Sequence, residues 1–160
     1  MSVHCLGLGA VAVTDKACDQ IVIYGLGSCV GLFAHYAPTS LWGAAHVVRP
    51  KGAPGSSHEQ GYFAGTAVPA LMNRMVAAGA DGGRAGWSFR LVGGAAVVES
   101  LARFDVGRRN VVAVRRALWR VGAAVLAEDV GGRISRTVRL DVGVGVLEVS
   151  NPDLGTWRLR

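Results

Sequence analysis

The 160-residue sequence predicts an α/β fold of the mixed (α+β) kind, formed as one domain over 1–160. Three observations predict it. The length suits one domain, because domains usually run to about 100–150 residues and a chain of this size buries a sizeable core. Runs rich in β-branched residues, bounded by Gly and Pro turns, alternate with two stretches of helical apolar spacing. No internal repeat or linker divides the chain. Hydrophobic residues make up 51% and charged residues 18%, with a mean hydropathy of +0.34, which excludes intrinsic disorder.

The elements follow in order. Residues 7–13 and 20–24 read as strands, the second ending at the turn Gly25-Leu-Gly-Ser-Cys29. Val30 to Tyr36 is a further apolar run, stopped by Ala37-Pro-Thr-Ser40, and Leu41 to Val48 is its expected hairpin partner. That hairpin sets Cys29 and His46 at the same end. Residues 50–60 form a loop of low complexity, expected to be mobile and near the active face. Val68, Leu71, Met72, Met75 and Val76 then recur at helical spacing. Pro69 is expected in the first turn of that helix or at a kink, and Gly79 with Gly82-Gly83 ends it. Trp87 to Val92 reads as a strand and Gly93-Gly94-Ala95 as a tight turn. A second helix is predicted over Val111 to Val121, with Asn110 as N-cap and Gly122 as its stop. Its buried face is Val111, Val114, Leu118 and Val121. Strands at 123–128, 134–140 and 144–149 complete the chain, the middle one turning Ile134, Arg136, Val138 and Leu140 to one face.

Several classes of function are excluded or demoted. No apolar run approaches the ~18 residues of a membrane span, so no membrane insertion is expected. The start lacks a secretory signal, which points to a cytoplasmic protein. Cys5, Cys18 and Cys29 are an odd number with no C-x-x-C pair, so neither a disulfide framework nor a zinc knuckle is supported, and all three read as reduced. The net charge is +6 and the pI about 9.9, yet 15 of the 17 basic residues are Arg and no nucleic-acid motif accompanies them. Nine arginines between Arg103 and Arg139, against Asp105, Glu128 and Asp129, read as a solvated basic face. Docking on an acidic protein comes next, and nucleic acid last.

The chemistry centres on one turn. Gly25-x-Gly27-x-x-Val30 lacks the third glycine, the following helix and the distant acid of a dinucleotide fingerprint. It suits a nucleophile at a sharp turn: glycines let the backbone double back, and N–H groups after Gly27 face a developing oxyanion. Cys29 closes the turn, and His46, across the hairpin, could lower a thiol pKa from its free value of about 8.5 and act as base. Chemistry alone leaves a second reading open, in which Cys29 is a small buried hydrophobe and His46 a satisfied core histidine. Cys5 and Cys18 read as bystanders, and His4, His35 and His58 as surface or loop residues.

Tyr24-Gly-Leu-Gly-Ser-Cys-Val30, followed by Trp42-Gly-Ala-Ala-His-Val-Val-Arg-Pro50, closely resembles the chemoreceptor glutamine deamidases, the CheD proteins of bacterial chemotaxis. The resemblance runs on through Tyr62-Phe-Ala-Gly-Thr-Ala-Val-Pro-Ala-Leu71, Val92-Gly-Gly-Ala95, Gly107-Arg-Arg-Asn110 and Ala127-Glu-Asp-Val-Gly-Gly132. It implies a mixed-sheet sandwich flanked by helices, with the cysteine turn at a sheet edge. It also implies an amidohydrolase in which Cys29 attacks a receptor glutamine, His46 is general base, and backbone N–H groups around Gly27, Ser28 and Cys29 hold the oxyanion. No metal or organic cofactor is called for. Hydrolysis of glutamyl methyl esters could use the same acyl-enzyme. The implied partners are the cytoplasmic domain of a methyl-accepting chemotaxis receptor and a CheC-type phosphatase of the response regulator CheY. One departure stands out: the family places a threonine six residues before the cysteine to orient the histidine, and here that position is Ile23. A weakly active or inactive docking module is therefore the alternative reading.

Overall fold

The structure, a computed structural model, describes residues 1–52, 57–81 and 83–159, and over 100–102 the backbone alone. Two five-stranded sheets lie face to face, and two helices cover the outer surface of one of them. The first sheet runs in the order β1 (Val3–Cys5), β3 (Gln20–Leu26), β8 (Arg136–Asp141), β9 (Val146–Asn151), β10 (Gly155–Leu159). The second runs β2 (Val11–Thr14), β5 (Leu41–Val47), β4 (Val30–Tyr36), β6 (Trp87–Gly93), β7 (Val125–Val130). Both sheets are mixed: β1–β3 and β6–β7 are parallel, and the remaining pairs antiparallel. The helices are α1 (Ala64–Ala77) and α2 (Val106–Arg120).

Strand alternation builds two cores on either side of the second sheet. Leu32 and Ala34 of β4 face the helices, where Val68, Leu71, Met75, Val114 and Leu118 meet them. Phe33 of β4, with Trp42 and Ala44 of β5, faces the first sheet and packs on Ile21, Ile23, Val138, Leu140 and Leu147. A strand covered on both faces needs apolar residues at nearly every position, which is why Val30 to Tyr36 reads as an unbroken apolar run. The edges of the sandwich are tied by charge. The Arg136 guanidinium, only 5% exposed, lies 3.1 Å from one oxygen of Asp129, and Trp157 Nε1–H donates to the other. This joins β7 to β8 and β10.

The hairpin of β4 and β5 forms as expected, with Gly31 opposite His46. Other elements differ from expectation. Residues 7–10 are a turn, leaving β2 as the strand, while β1 and β10 are additional short edge strands. The first helix begins at Ala64, so Pro69 sits in its interior, and the buried stripe is Ala64, Ala67, Val68, Leu71 and Met75, with Val76 exposed. The second helix begins five residues earlier than predicted, after Asp105, and Asn110 is a fully buried residue of its second turn. Its start is pressed onto the Gly94-Ala95 turn so closely that a Cβ on Gly107 would stand 2.5 Å from the Ala95 carbonyl oxygen. Asn110 is thereby turned inward and cannot cap. Both helices lie on one face of the sandwich. The cysteine turn sits where the chain crosses between sheets, at the end of the central strand β4, not at a sheet edge. Of the loop at 50–60, the expectation of mobility over 53–56 lies outside the described residues.

Candidate active site

Gly27, Ser28 and Cys29 connect β3 in one sheet to β4 in the other. All three carbonyls of this turn are occupied. Gly27 O accepts from Ala95 N–H at 2.8 Å, Ser28 O from Asn110 Nδ2 at 2.8 Å, and Cys29 O from Gly94 N–H at 2.7 Å. Gly93, at φ +113°, makes the close approach possible, since a Cβ there would lie 2.3 Å from the Cys29 carbonyl oxygen. Each peptide is trans, so the N–H of Ser28 and the N–H of Cys29 point opposite to these held carbonyls. Among the described residues neither N–H has an acceptor. The turn thus presents two adjacent, fixed donors beside a cysteine, which is what a developing oxyanion requires.

Cys29 packs against the rim of the inter-sheet core and is half-buried, whereas Cys5 and Cys18 are exposed. His46, with Trp42 and Ala44, lies on the β5 face directed at that same core. It is buried, and its Nδ1 is 3.0 Å from the Leu6 carbonyl oxygen. A carbonyl only accepts, so Nδ1 carries the hydrogen and Nε2 keeps its lone pair free for a proton. Ile23, which departs from the family's threonine, is fully buried in the inter-sheet core. Its Cδ1 lies 3.2 Å from where a Cβ of Gly31 would stand, opposite His46. The His46 ring is thus held by a backbone carbonyl, and position 23 offers it no hydroxyl.

Burial pushes the Cys29 thiol up from its ordinary value. Burial also pushes the His46 imidazole down, against the opposing pull of the Leu6 and Gly7 backbone. Burial thus favours the uncharged form of each group.

A cleft of about 240 Å³ opens beside the turn, lined by Gly27, Ser28, Val97, Val98, Phe104 and Gly107. Val97, Val98 and Phe104 are largely exposed there, giving an apolar wall beside Gly27 and Ser28. Larger hollows lie elsewhere, and two stand out by volume. One, of about 540 Å³, is bordered by Trp87, Phe89 and Val121 at the other end of the second sheet from Cys29. The other, of about 640 Å³, is a groove along α2 with Lys51, Arg108, Arg109, Arg116 and Arg120 on its walls. Neither is lined by a residue of the Gly27–Cys29 turn, so volume alone is a poor guide to this site.

Of the predicted site residues, the structure brings Gly27, Ser28, Cys29 and His46 to one end of the β4–β5 hairpin. His35 is half-buried in β4, stacked on Trp42 with centroids 4.2 Å apart, and not a surface residue. His4 pairs with the buried Asp19 at 3.1 Å. Two features escaped sequence reasoning, the Leu6 carbonyl and Asn110. A backbone acceptor leaves no side-chain signature. Asn110 does leave one: carrying the apolar spacing of α2 back one turn from Val114 puts Asn110 and Gly107 on the buried face.

A two-sheet sandwich covered by helices on one side, with a cysteine turn and a buried histidine at one hairpin end, defines the class of protein. A family model described as CheD chemotactic sensory transduction matches residues 49–151. A probable chemoreceptor glutamine deamidase CheD of Syntrophotalea carbinolica is 36% identical over 99% of this chain and 100% of its own length. One of Symbiobacterium thermophilum is 39% identical over 96% of the chain and 95% of the relative, and one of Methanococcus vannielii 37% identical over 75% and 77%. The chain belongs to the CheD family. Cys29 and His46 precede the part matched by the family model but fall within the reach of the longest of these alignments.

Proposed function

We propose that the protein deamidates glutamine side chains in the cytoplasmic part of chemotaxis receptors, through a thioester on Cys29. The observation that carries this reading is the His46 hydrogen bond to the Leu6 carbonyl, which leaves Nε2 unprotonated on a strand paired with β4, the strand that Cys29 leads. Cys29 Sγ attacks the carboxamide carbon while His46 Nε2 takes the thiol proton. The carbonyl oxygen becomes an oxyanion held by the N–H groups of Ser28 and Cys29. His46 returns its proton to the nitrogen as the C–N bond breaks, releasing ammonia and leaving a γ-glutamyl thioester. Water then attacks the thioester, His46 accepts its proton and returns it to sulfur, and glutamate is released. The net change is glutamine and water to glutamate and ammonia.

The apolar wall of Val97, Val98 and Phe104 suits the flank of a helical substrate, and the basic groove on α2 suits acidic side chains further along it. No described helix is long and apolar enough to cross a membrane, and a cytoplasmic location fits a receptor substrate on that side. A CheC-type phosphatase is a further proposed partner. The test is peptide mapping of a receptor cytoplasmic fragment incubated with wild type, Cys29→Ala or His46→Asn. Glutamine should become glutamate with the wild type only, and free glutamine should release no ammonia. Conversion by all three proteins, or by none, would defeat the proposal.

A further inference from the structure

We infer that Asn110 is a positioning residue for this reaction, aiming the Cys29 N–H by holding the peptide that precedes it. The inference rests on the deamidase reading and goes beyond it. Asn110 is fully buried, and its single Nδ2 group donates to two backbone carbonyls, Ser28 O at 2.8 Å and Val48 O at 2.9 Å. The first belongs to the peptide whose N–H is that of Cys29. Because the unit is planar and trans, fixing its oxygen toward α2 fixes its hydrogen the opposite way. The second carbonyl lies two residues after His46, just past the end of β5. One amide therefore fastens the chain that carries the nucleophile to the chain that carries the base.

The local structure is arranged around this contact. Gly107 and Gly94 let the first turn of α2 press against the loop beside Cys29, as neither position has room for a Cβ. Asn110 is carried inward with it. Its Oδ1 is buried and has no partner among the described residues. A residue chosen only to fill the core would not leave a buried acceptor unmet, since an apolar side chain of similar size avoids that penalty. The two donated bonds account for an amide at this place. Aspartate has the same shape but presents a second acceptor to two carbonyls, so it keeps the volume and loses both bonds.

The test separates the oxyanion step from the rest of the site. Alkylation of Cys29 by iodoacetamide displaces iodide and forms no oxyanion, so it needs the thiol but not the donors. For Asn110→Asp, the kcat for receptor-fragment deamidation is expected to fall about a hundredfold or more, the usual consequence of losing one oxyanion donor. KM and the Cys29 alkylation rate should stay within about threefold, because the substrate wall and the thiol are untouched. Asn110→Ser, which keeps one donor, should recover part of the lost kcat. The inference is overturned if Asn110→Asp works like the wild type, or if deamidation and alkylation collapse together. It is also overturned if both variants fail to fold by circular dichroism, which would make Asn110 a support of the fold alone. A wild type that leaves every receptor glutamine unchanged defeats the deamidase reading itself, whereas an active wild type with an equally active Asn110→Asp defeats only this inference.

Discussion

The Leu6 carbonyl already holds His46 Nδ1, so a hydroxyl at position 23 has no vacant bond to fill. Ile23→Thr is accordingly expected to leave kcat within about threefold of wild type, as third members of such sites often add less than nucleophile and base. It should instead cost stability, about 1–3 kcal/mol, for burying a hydroxyl in the inter-sheet core, measurable by urea unfolding. The pH dependence has a definite sign. His46 accepts a proton only when neutral, and burial holds its pKa below 6.5. The acid limb of kcat/KM should therefore have its midpoint below pH 6.5, and a midpoint above it would contradict the effect of burial on His46. The same shift contributes stability that is complete above pH 6.5 and is lost as pH falls through the folded value. At this scale the sequence exposed the side chains well and the backbone poorly. Cys29 and His46 are legible from residue type and hairpin spacing, while Leu6 acts through an oxygen that every residue possesses.

Strands and helices add the supports behind those residues. Strand β1 is short and at an edge, yet it leads directly to Leu6. It is pinned by Asp19, whose carboxylate meets His4 Nε2 at 3.1 Å, the Ser2 N–H at 2.8 Å and the Thr14 hydroxyl at 2.9 Å. His4 first, then these hydrogen bonds, hold Asp19 down from 3.8 to about 2. This anchoring is complete above pH 3.8 and is lost as pH falls toward 2. Asp19→Ala should raise amide exchange across β1 and slow deamidation by releasing the Leu6 carbonyl; unchanged exchange would show that β1 needs no such pin. Between the two sheets, Arg136→Ala leaves Asp129 without its guanidinium and should cost about 3 kcal/mol in urea unfolding, as removing one partner of a buried pair does. Element type was legible from periodicity, but boundaries shifted wherever backbone approach decided them. The early start of α2 depends on Gly107 seating against Gly94, a contact between residues 13 positions apart that no local window contains.

Over the whole molecule, periodicity revealed alternating strands and helices but not which strands pair. Strands β8, β9 and β10 return to extend β3 after the entire second sheet has formed, and nothing in their alternation names that partner. The sandwich entered through the family resemblance. Charge is distributed with similar economy. Among the described residues, Arg109, Arg116, Arg120 and Lys51 along the α2 groove have no carboxylate within salt-bridge distance. Receptor-fragment binding should therefore weaken about tenfold as salt rises from about 0.1 M to about 1 M, where the screening length shrinks from about 10 Å to about 3 Å. Binding that ignores salt would remove the groove from the docking account. The thioester itself is tested most directly by adding hydroxylamine to receptor fragment and enzyme, then mapping the peptides. A glutamyl hydroxamate beside glutamate at the same glutamine with wild type, and unchanged glutamine with Cys29→Ala, is the expected result. Conversion by Cys29→Ala at the wild-type rate would contradict a covalent route through Cys29.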